Sequence, residues 1–273
     1  AGAPASLEVH RALRAGGLFG LDKPRGITSH KMVQKVLETV NNALGNAASK
    51  AGHGGTLDPE ATGVLVVGVN RATRQLQGFL NGPKVYEAEV TMGIETDTQD
   101  AAGQVVAEAS YEGVTREVLE DLVPSFTGTI KQVPPMYSAL KIKGRRLYSL
   151  ALDGQEVPRL PRDVVVHRLE ILSFTPPTFT MRVECGRGLY VRTLGLDLMR
   201  AAGSLGHVSA LRRTRAGSVG LEHCLAAEQV TDASTIVSQF SVISLPPLPM
   251  VRQPRRQRPA SSRRPRREGA ERA

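Results

Sequence analysis

The stretch AGHGGTLDPEATGVLVVGV, residues 51–69, sets a single carboxylate, Asp58, between a glycine-rich approach and a proline. His53, Gly54, Gly55 and Thr56 read as a flexible turn in which backbone can come close to a ligand, and Leu57 and Pro59 fix the direction of the acid. A carboxylate held this way suits a nucleophile or a general base. The same residues also suit a plainer role, in which Asp58 caps the turn and the glycines simply permit a loop. GHGG lacks the Lys-Ser/Thr ending of a Walker motif, so it is not a phosphate loop. Cys185 and Cys224 stand far apart, with no CxxC and no nearby histidine pair, which excludes a zinc site or a disulfide framework and leaves two structural thiols in a reducing compartment.

The elements that must position Asp58 follow from hydrophobic periodicity. GLFGLDKPRG predicts a short strand around Leu18 to Leu21, stopped by Pro24 and Gly26, with Asp22 at its end. Thr28 and Ser29 are N-cap residue types ahead of a helix whose apolar positions Val33, Val36, Leu37, Val40 and Leu44 recur at helical spacing. GVLVVGV, directly after the acid, reads as a buried strand, and VYEAEVTM alternates with Tyr86, Ala88, Val90 and Met92 on one face. TREVLEDLV predicts a short helix capped by Thr115. FTMRVEC puts Phe179, Met181, Val183 and Cys185 on one face, breaks at GRG and leads into a helix ended by Gly203. Strands and helices mix without a regular βαβ period, so the fold class is α+β with a largely antiparallel or mixed sheet.

The 273 residues, 41% of them hydrophobic, are enough for one large domain with an appendage. Residues 1–16, Ala- and Arg-rich, read as a lead-in, and 17–245 as the folded body. Residues 246–273 form a basic Pro/Arg-rich tail too poor in apolar residues to fold alone. Residues 251–273 carry nine arginines against two glutamates, which leaves the rest of the chain near neutral within a formal total of +9. RNA binding by the body must therefore rest on local motifs, whereas the tail suits either phosphate contact or solubility and targeting. No apolar run approaches the roughly 18 residues of a membrane span, so the chain reads as a soluble intracellular protein, mitochondrial or nuclear/cytoplasmic.

The whole of AGHGGTLDPEATGVLVVGVNRATR resembles the signature of the TruB-type tRNA pseudouridine-55 synthases, in which G-H-x-G-x-L-D-P-x-A-x-G surrounds one essential aspartate. Further blocks are similar in the same order. GLFGLDKPRGITSH matches the family's N-terminal segment, and KVYEAEVTMGIETDTQDAAGQVV its K-x-Y and T-D-T-x-D segments. QVPPMYSALKIKGRRLYSLALDGQEV, VECGRGLYVRTLGLDL and HVSALRRTRAG match the remaining blocks, so the likeness spans about residues 17 to 217.

The resemblance implies a pseudouridine synthase fold and an isomerase that turns a flipped-out uridine into pseudouridine with no metal, nucleotide or redox cofactor. By it, Asp58 is the catalytic carboxylate, Arg192 pairs with it, Tyr86 stacks on the target base and serves the final proton transfer, and Leu211 forms an apolar wall. His53 would fill the gap left in the RNA, Lys23 would contact phosphate or support the loop, and Tyr190 would pack beneath the pocket. Residues 134–162 correspond to a thumb-like RNA-binding loop, with Tyr137, Lys141, Lys143, Arg145 and Arg146 as RNA contacts. The stretch after Gly217 is too short for the PUA-type domain of bacterial members, which brings the chain closer to eukaryotic members without it. The implied partner is the T arm of tRNA, met by a monomer. Two alternatives share the motif: an RNA chaperone or (mitochondrial) ribosome-assembly factor that binds rRNA, and a guide-RNA-dependent modifier like dyskerin, against which the missing PUA domain argues.

Overall fold

A computed structural model describes residues 6–142 and 144–243; the basic tail expected over 246–273 and the RNA contact expected at Lys143 lie outside them. The N-terminal half runs α1 (Leu7–Ala15), β1 (Leu18–Lys23), α2 (Ser29–Ala43), β2 (Ala51–His53), β3 (Thr62–Val69), α3 (Leu76–Asn81) and β4 (Lys84–Met92). A small hairpin, β5 (Ile94–Thr96) and β6 (Val105–Glu108), precedes α4 (Arg116–Leu122) and β7 (Gly128–Gln132). The segment expected to be thumb-like holds β8 (Lys141–Ile142), β9 (Arg145–Arg146) and α5 (Leu147–Leu152). Then follow β10 (Arg162–Thr175), β11 (Thr178–Cys185), α6 (Val191–Ala201), β12 (Gly206–Ala216), β13 (Val219–Gly220), β14 (Cys224–Ala226) and α7 (Ala233–Ser238). No helix among the described residues is long and apolar enough to cross a membrane.

The architecture is the α+β one expected. One mixed sheet has the strand order β14-β1-β3-β12-β4-β11-β10-β7, with β13 beside β12 and β2 beside β3. Most neighbours are antiparallel, while β3 runs parallel to β12 and β1 parallel to β14. β3 is buried on both faces because two cores meet on it. Leu65, Val67 and Val69 pack with α2 and α7, whereas Val64 and Val66 pack with Leu76 and Phe79 of α3. A third core lies under α6, between Leu194, Leu198 and Met199 and the inner faces of β4 and β11. Gly195 lets α6 lie close, since a side-chain carbon there would sit 3.2 Å from Val90 and Val208. The alternation read in β4 and β11 holds: Ala88, Val90, Met92, Phe179, Met181, Val183 and Cys185 are all buried.

Two expectations about the N-terminal part are corrected, and of the two roles expected for Lys23 the structure favours support of the loop. Residues 7–15 are no lead-in: they form α1, capped by Ser6, and Leu13 is fully buried among Phe19, Leu21 and Val69. Only Val9 and Leu13 of this short helix reach the core. Asp22 does not end β1, which runs on to Lys23; Asp22 instead meets Arg212 of β12 at 2.7 Å. Lys23 is not a phosphate contact but is completely buried, and its ammonium donates to the carbonyls of Pro24 (2.9 Å), Ile27 (2.8 Å) and Pro59 (3.0 Å). With every proton accepted, it acts as a tie between the turn after β1 and the loop before β3.

Two outcomes test this packing. Leu13→Ala is expected to lower the unfolding free energy by about 2–5 kcal/mol in urea titrations, the usual range for emptying a filled core position; a change under roughly 0.5 kcal/mol would return residues 7–15 to a dispensable appendage. Burial lowers the Lys23 ammonium from 10.5 to about 8, against the raising effects of Asp58 and Glu60. As pH falls from 10.5 to 8 the unfolded chain takes up this proton before the folded one, so the group subtracts stability across that window and in full below it. Wild-type stability relative to Lys23→Met should therefore rise with pH between 8 and 10.5, and a flat difference would contradict this burial.

Candidate active site

Asp58 stands on the loop between β2 and β3, and buried side chains fix the backbone on both sides of it. Arg213 of β12, only 1% exposed, donates to the carbonyls of Gly55 (3.0 Å), Thr56 (3.3 Å) and Val64 (2.7 Å). Ser29 Oγ donates to the Leu57 carbonyl at 2.9 Å and accepts the Leu57 N–H at 2.8 Å. The Pro59 carbonyl takes both Lys23 and the N–H of Gly26. Thr28 alone caps α2, accepting the N–H of Lys31, which leaves Ser29 free for this second task. The loop arrives beside β12 because residue 63 is glycine: its φ is +100°, and a side-chain carbon there would lie 2.2 Å from the Arg213 carbonyl.

Arg192, in the first turn of α6, reaches Asp58 within one cleft. Its Nε donates to Asp58 Oδ2 at 2.8 Å, Nη2 donates to the Tyr137 carbonyl at 2.8 Å, and Nη1 donates to the Thr98 carbonyl. Asp100 Oδ2 lies 3.7 Å from the same Nε. The guanidinium is 5% exposed and the Asp58 side chain 36%. A permanently charged, fully directed fork thus holds one oxygen of a half-open acid. Among the described residues Oδ1 of Asp58 accepts no hydrogen bond.

A cleft of about 330 Å³ opens above this pair, lined by Asp58, Tyr86, Tyr190, Arg192, Leu211 and Arg213 among others. That volume suits a single planar ring system at the lower end of the range for small-ligand sites, roughly 300–1,000 Å³. Gly63, Arg213, Tyr86 and Val183 share one register row, so β12 delivers Arg213 next to the Tyr86 ring. The Arg213 carbon lies 5.9 Å from the ring centre and Nη1 3.5 Å from the hydroxyl. Burial pushes the Tyr86 phenol up, with Arg213 pulling the other way, and burial brings Lys84 at the cleft floor down to about 8. Leu211, paired with Ala88 two rows along and so on the same face, supplies an apolar wall. A groove of equal volume runs along β4, β10, β11 and β12, but its Arg182–Glu87 and Arg215–Glu184 pairs satisfy each other on the open surface.

The sequence-expected residues divide accordingly. Asp58, Tyr86, Tyr190, Arg192 and Leu211 meet in one cleft. Tyr190 forms its wall, held by two bonds to the buried Gln132 amide and covered by Arg162 5.1 Å from its ring centre. His53 lies outside the lining on β2, its Nδ1 3.4 Å from the Gly55 N–H, and burial lowers its pKa, with Arg213 and His30 adding to the effect. Tyr137 sits behind Arg192, its hydroxyl 3.3 Å from Asp97, while Lys141 and Arg145 are exposed on the β8–β9 hairpin. Lys23 lies beneath the loop. Sequence reading missed Arg213, although its position two residues after Leu211 on a strand gives both the same face. It also missed the part of Ser29, for which the sequence carries no local signal.

The model of the TruB family pseudouridylate synthase N-terminal domain matches residues 42–191. The chain is 47% identical over 222 residues to tRNA pseudouridine synthase B of Pseudomonas aeruginosa (strain UCBPP-PA14), covering 81% of this chain and 71% of that protein. It is 43% identical over 220 residues to the protein of the same name from Bordetella pertussis (strain Tohama I), covering 80% and 88%. Among solved structures it is similar to a Cbf5-Nop10-Gar1 complex, with a TM-score of 0.60 at 30% identity over 80% of this chain and 54% of that one, so it spans about half of that relative. An H/ACA RNP bound to a substrate RNA containing 2'-deoxyuridine gives 0.58 at 28% identity, covering 82% and 54%. The chain that holds Asp58 against Arg192 in a cleft sized for one base therefore belongs to the TruB family of pseudouridylate synthases, a family of isomerases.

Proposed function

We propose that this protein converts uridine 55 in the T loop of tRNA to pseudouridine, with Asp58 as the catalytic carboxylate. The observation that carries the reading is the half-exposed acid with one oxygen committed to a buried arginine and the other free, facing a one-ring cleft walled by Tyr86 and Leu211. Two relatives bearing the name tRNA pseudouridine synthase B, aligned over most of their own length, support tRNA as the substrate. A uridine inside a stem-loop reaches such a cleft only when flipped from its stack, at an expense of a few kcal/mol. Stacking on Tyr86 offsets about 1–3 kcal/mol of this.

In the reaction the bond from N1 to the ribose C1′ breaks, the base turns, C5 bonds to C1′, and the proton on C5 leaves while N1 gains one. Asp58 Oδ1 attacks the nucleoside or assists departure of the base, and Arg192 keeps the carboxylate aimed throughout. Tyr86 is kept protonated by its burial, so it takes part in the final transfer as a relay that accepts one proton while giving another. His53, beside the cleft rather than in it, fills the space the base vacates in the RNA. The 134–162 segment, with Lys141 and Arg145 exposed, contacts the T-arm backbone, and the arginine tail adds sequence-independent phosphate contacts.

Asp58→Asn, tested on a T-arm stem-loop, is expected to bind within about 3-fold of wild type yet form pseudouridine at least 10³-fold more slowly by carbodiimide mapping, about the loss that follows removal of a catalytic group. Product at near wild-type rate would sink this mechanism. A chain ending at residue 245 should keep its turnover on saturating RNA but show a shallower dependence of log K on log salt, each lost phosphate contact reducing the slope by about 0.7–0.9; an unchanged slope would leave the tail outside the RNA contact.

A further inference from the structure

We propose that the Ser138 hydroxyl is a specificity-determining contact that donates a hydrogen bond to a ring carbonyl oxygen of the uracil seated on Tyr86; this rests on the reading of the cleft given above. Ser138 lines the same cleft as Asp58, Tyr86 and Arg192. The residue is 5% exposed, and its Oγ is fully buried with no hydrogen-bond partner among the described residues. Its backbone is fully engaged, the N–H donating to Met136 at 2.8 Å and the carbonyl accepting from Tyr148 at 3.0 Å. The preceding carbonyl, that of Tyr137, is fixed by Arg192. Ser138 is thus held one residue from the arginine that aims the catalytic acid, with only its side-chain hydroxyl unsatisfied.

Buried hydroxyls in folded proteins are nearly always paired, and an alanine would fill this position without leaving an orphan. The other buried polar atoms lacking partners among the described residues, on Asn41, Arg159, Arg162 and Ser204, lie outside the lining of this cleft. Ser138 therefore lacks a partner where the substrate base goes. Ala139 beside it also lines the cleft, and rotation about the single side-chain torsion moves the Ser138 Oγ between staggered wells without moving the backbone. Uracil offers two carbonyl acceptors on its edge, at C2 and C4, and a neutral hydroxyl suits either.

Ser138→Ala is expected to lower kcat/KM on a T-arm stem-loop about 10-fold, the loss typical of one neutral hydrogen bond to substrate, while the melting temperature stays level or rises because the free protein loses no bond. RNA carrying 2-thiouridine or 4-thiouridine at the target position weakens one acceptor at a time. On one of the two, Ser138→Ala should bring no further loss. Wild-type kcat/KM in the variant, a fall in melting temperature of several degrees, or the same loss on uridine and both thiouridines would each overturn the inference. Its failure is separable from that of the underlying reading, which stands or falls on Asp58→Asn.

Discussion

A buried guanidinium between two strands sets the geometry on which the site depends. Arg213 holds the Gly55 and Thr56 carbonyls of the loop that carries Asp58, the Val64 carbonyl of the strand behind it, and the hydroxyl end of Tyr86. A cation this deep persists only because its protons are met by fixed acceptors, and the same requirement ties three segments distant in sequence to one point. Gly63 is the steric counterpart: without a side chain, β3 can run against the Arg213 backbone.

With the loop fixed, the second arginine has a different task. Arg192 comes from α6, on the other side of the cleft, and spends only its Nε on Asp58 while its terminal nitrogens bind the carbonyls of Tyr137 and Thr98. The acid is aimed by a group that is itself anchored at two places, so neither partner must be ordered when substrate arrives. Preorganisation of this kind lowers the reorganisation that a reaction at the acid would otherwise require. Burial around Tyr86 and Lys84 shifts both toward their neutral forms.

The fold expectations that held came from strong local signals. The alternation in β4 and β11 and the apolar run of β3 report burial directly, because a strand's side chains divide between two faces whatever lies beyond them. Thr115 and Thr28 cap their helices as their type and place suggest. α1 is hard to read from sequence because it is short and lies in an Ala- and Arg-rich stretch, and its stability comes from Leu13 entering a core built by other elements. For Lys23 the sequence left phosphate contact and loop support both open, since exposure is the usual state of a lysine; three backbone carbonyls converging on it make burial tolerable and select loop support.

By itself the sequence determined the chemistry's ingredients: an acid between glycine and proline, an aromatic on an alternating strand, and the collinear blocks that carry the family likeness. Tertiary structure alone decided that Arg192, 134 residues from Asp58, lies 2.8 Å from it, that Arg213 reaches the cleft while Lys23 ties the loop, and that Ser138 ends there unpaired among the described residues. The division has a physical cause. Strand alternation and caps are set by neighbours a few residues away, whereas a hydrogen bond of fixed length between remote side chains exists only once sheet register and helix packing have placed both ends.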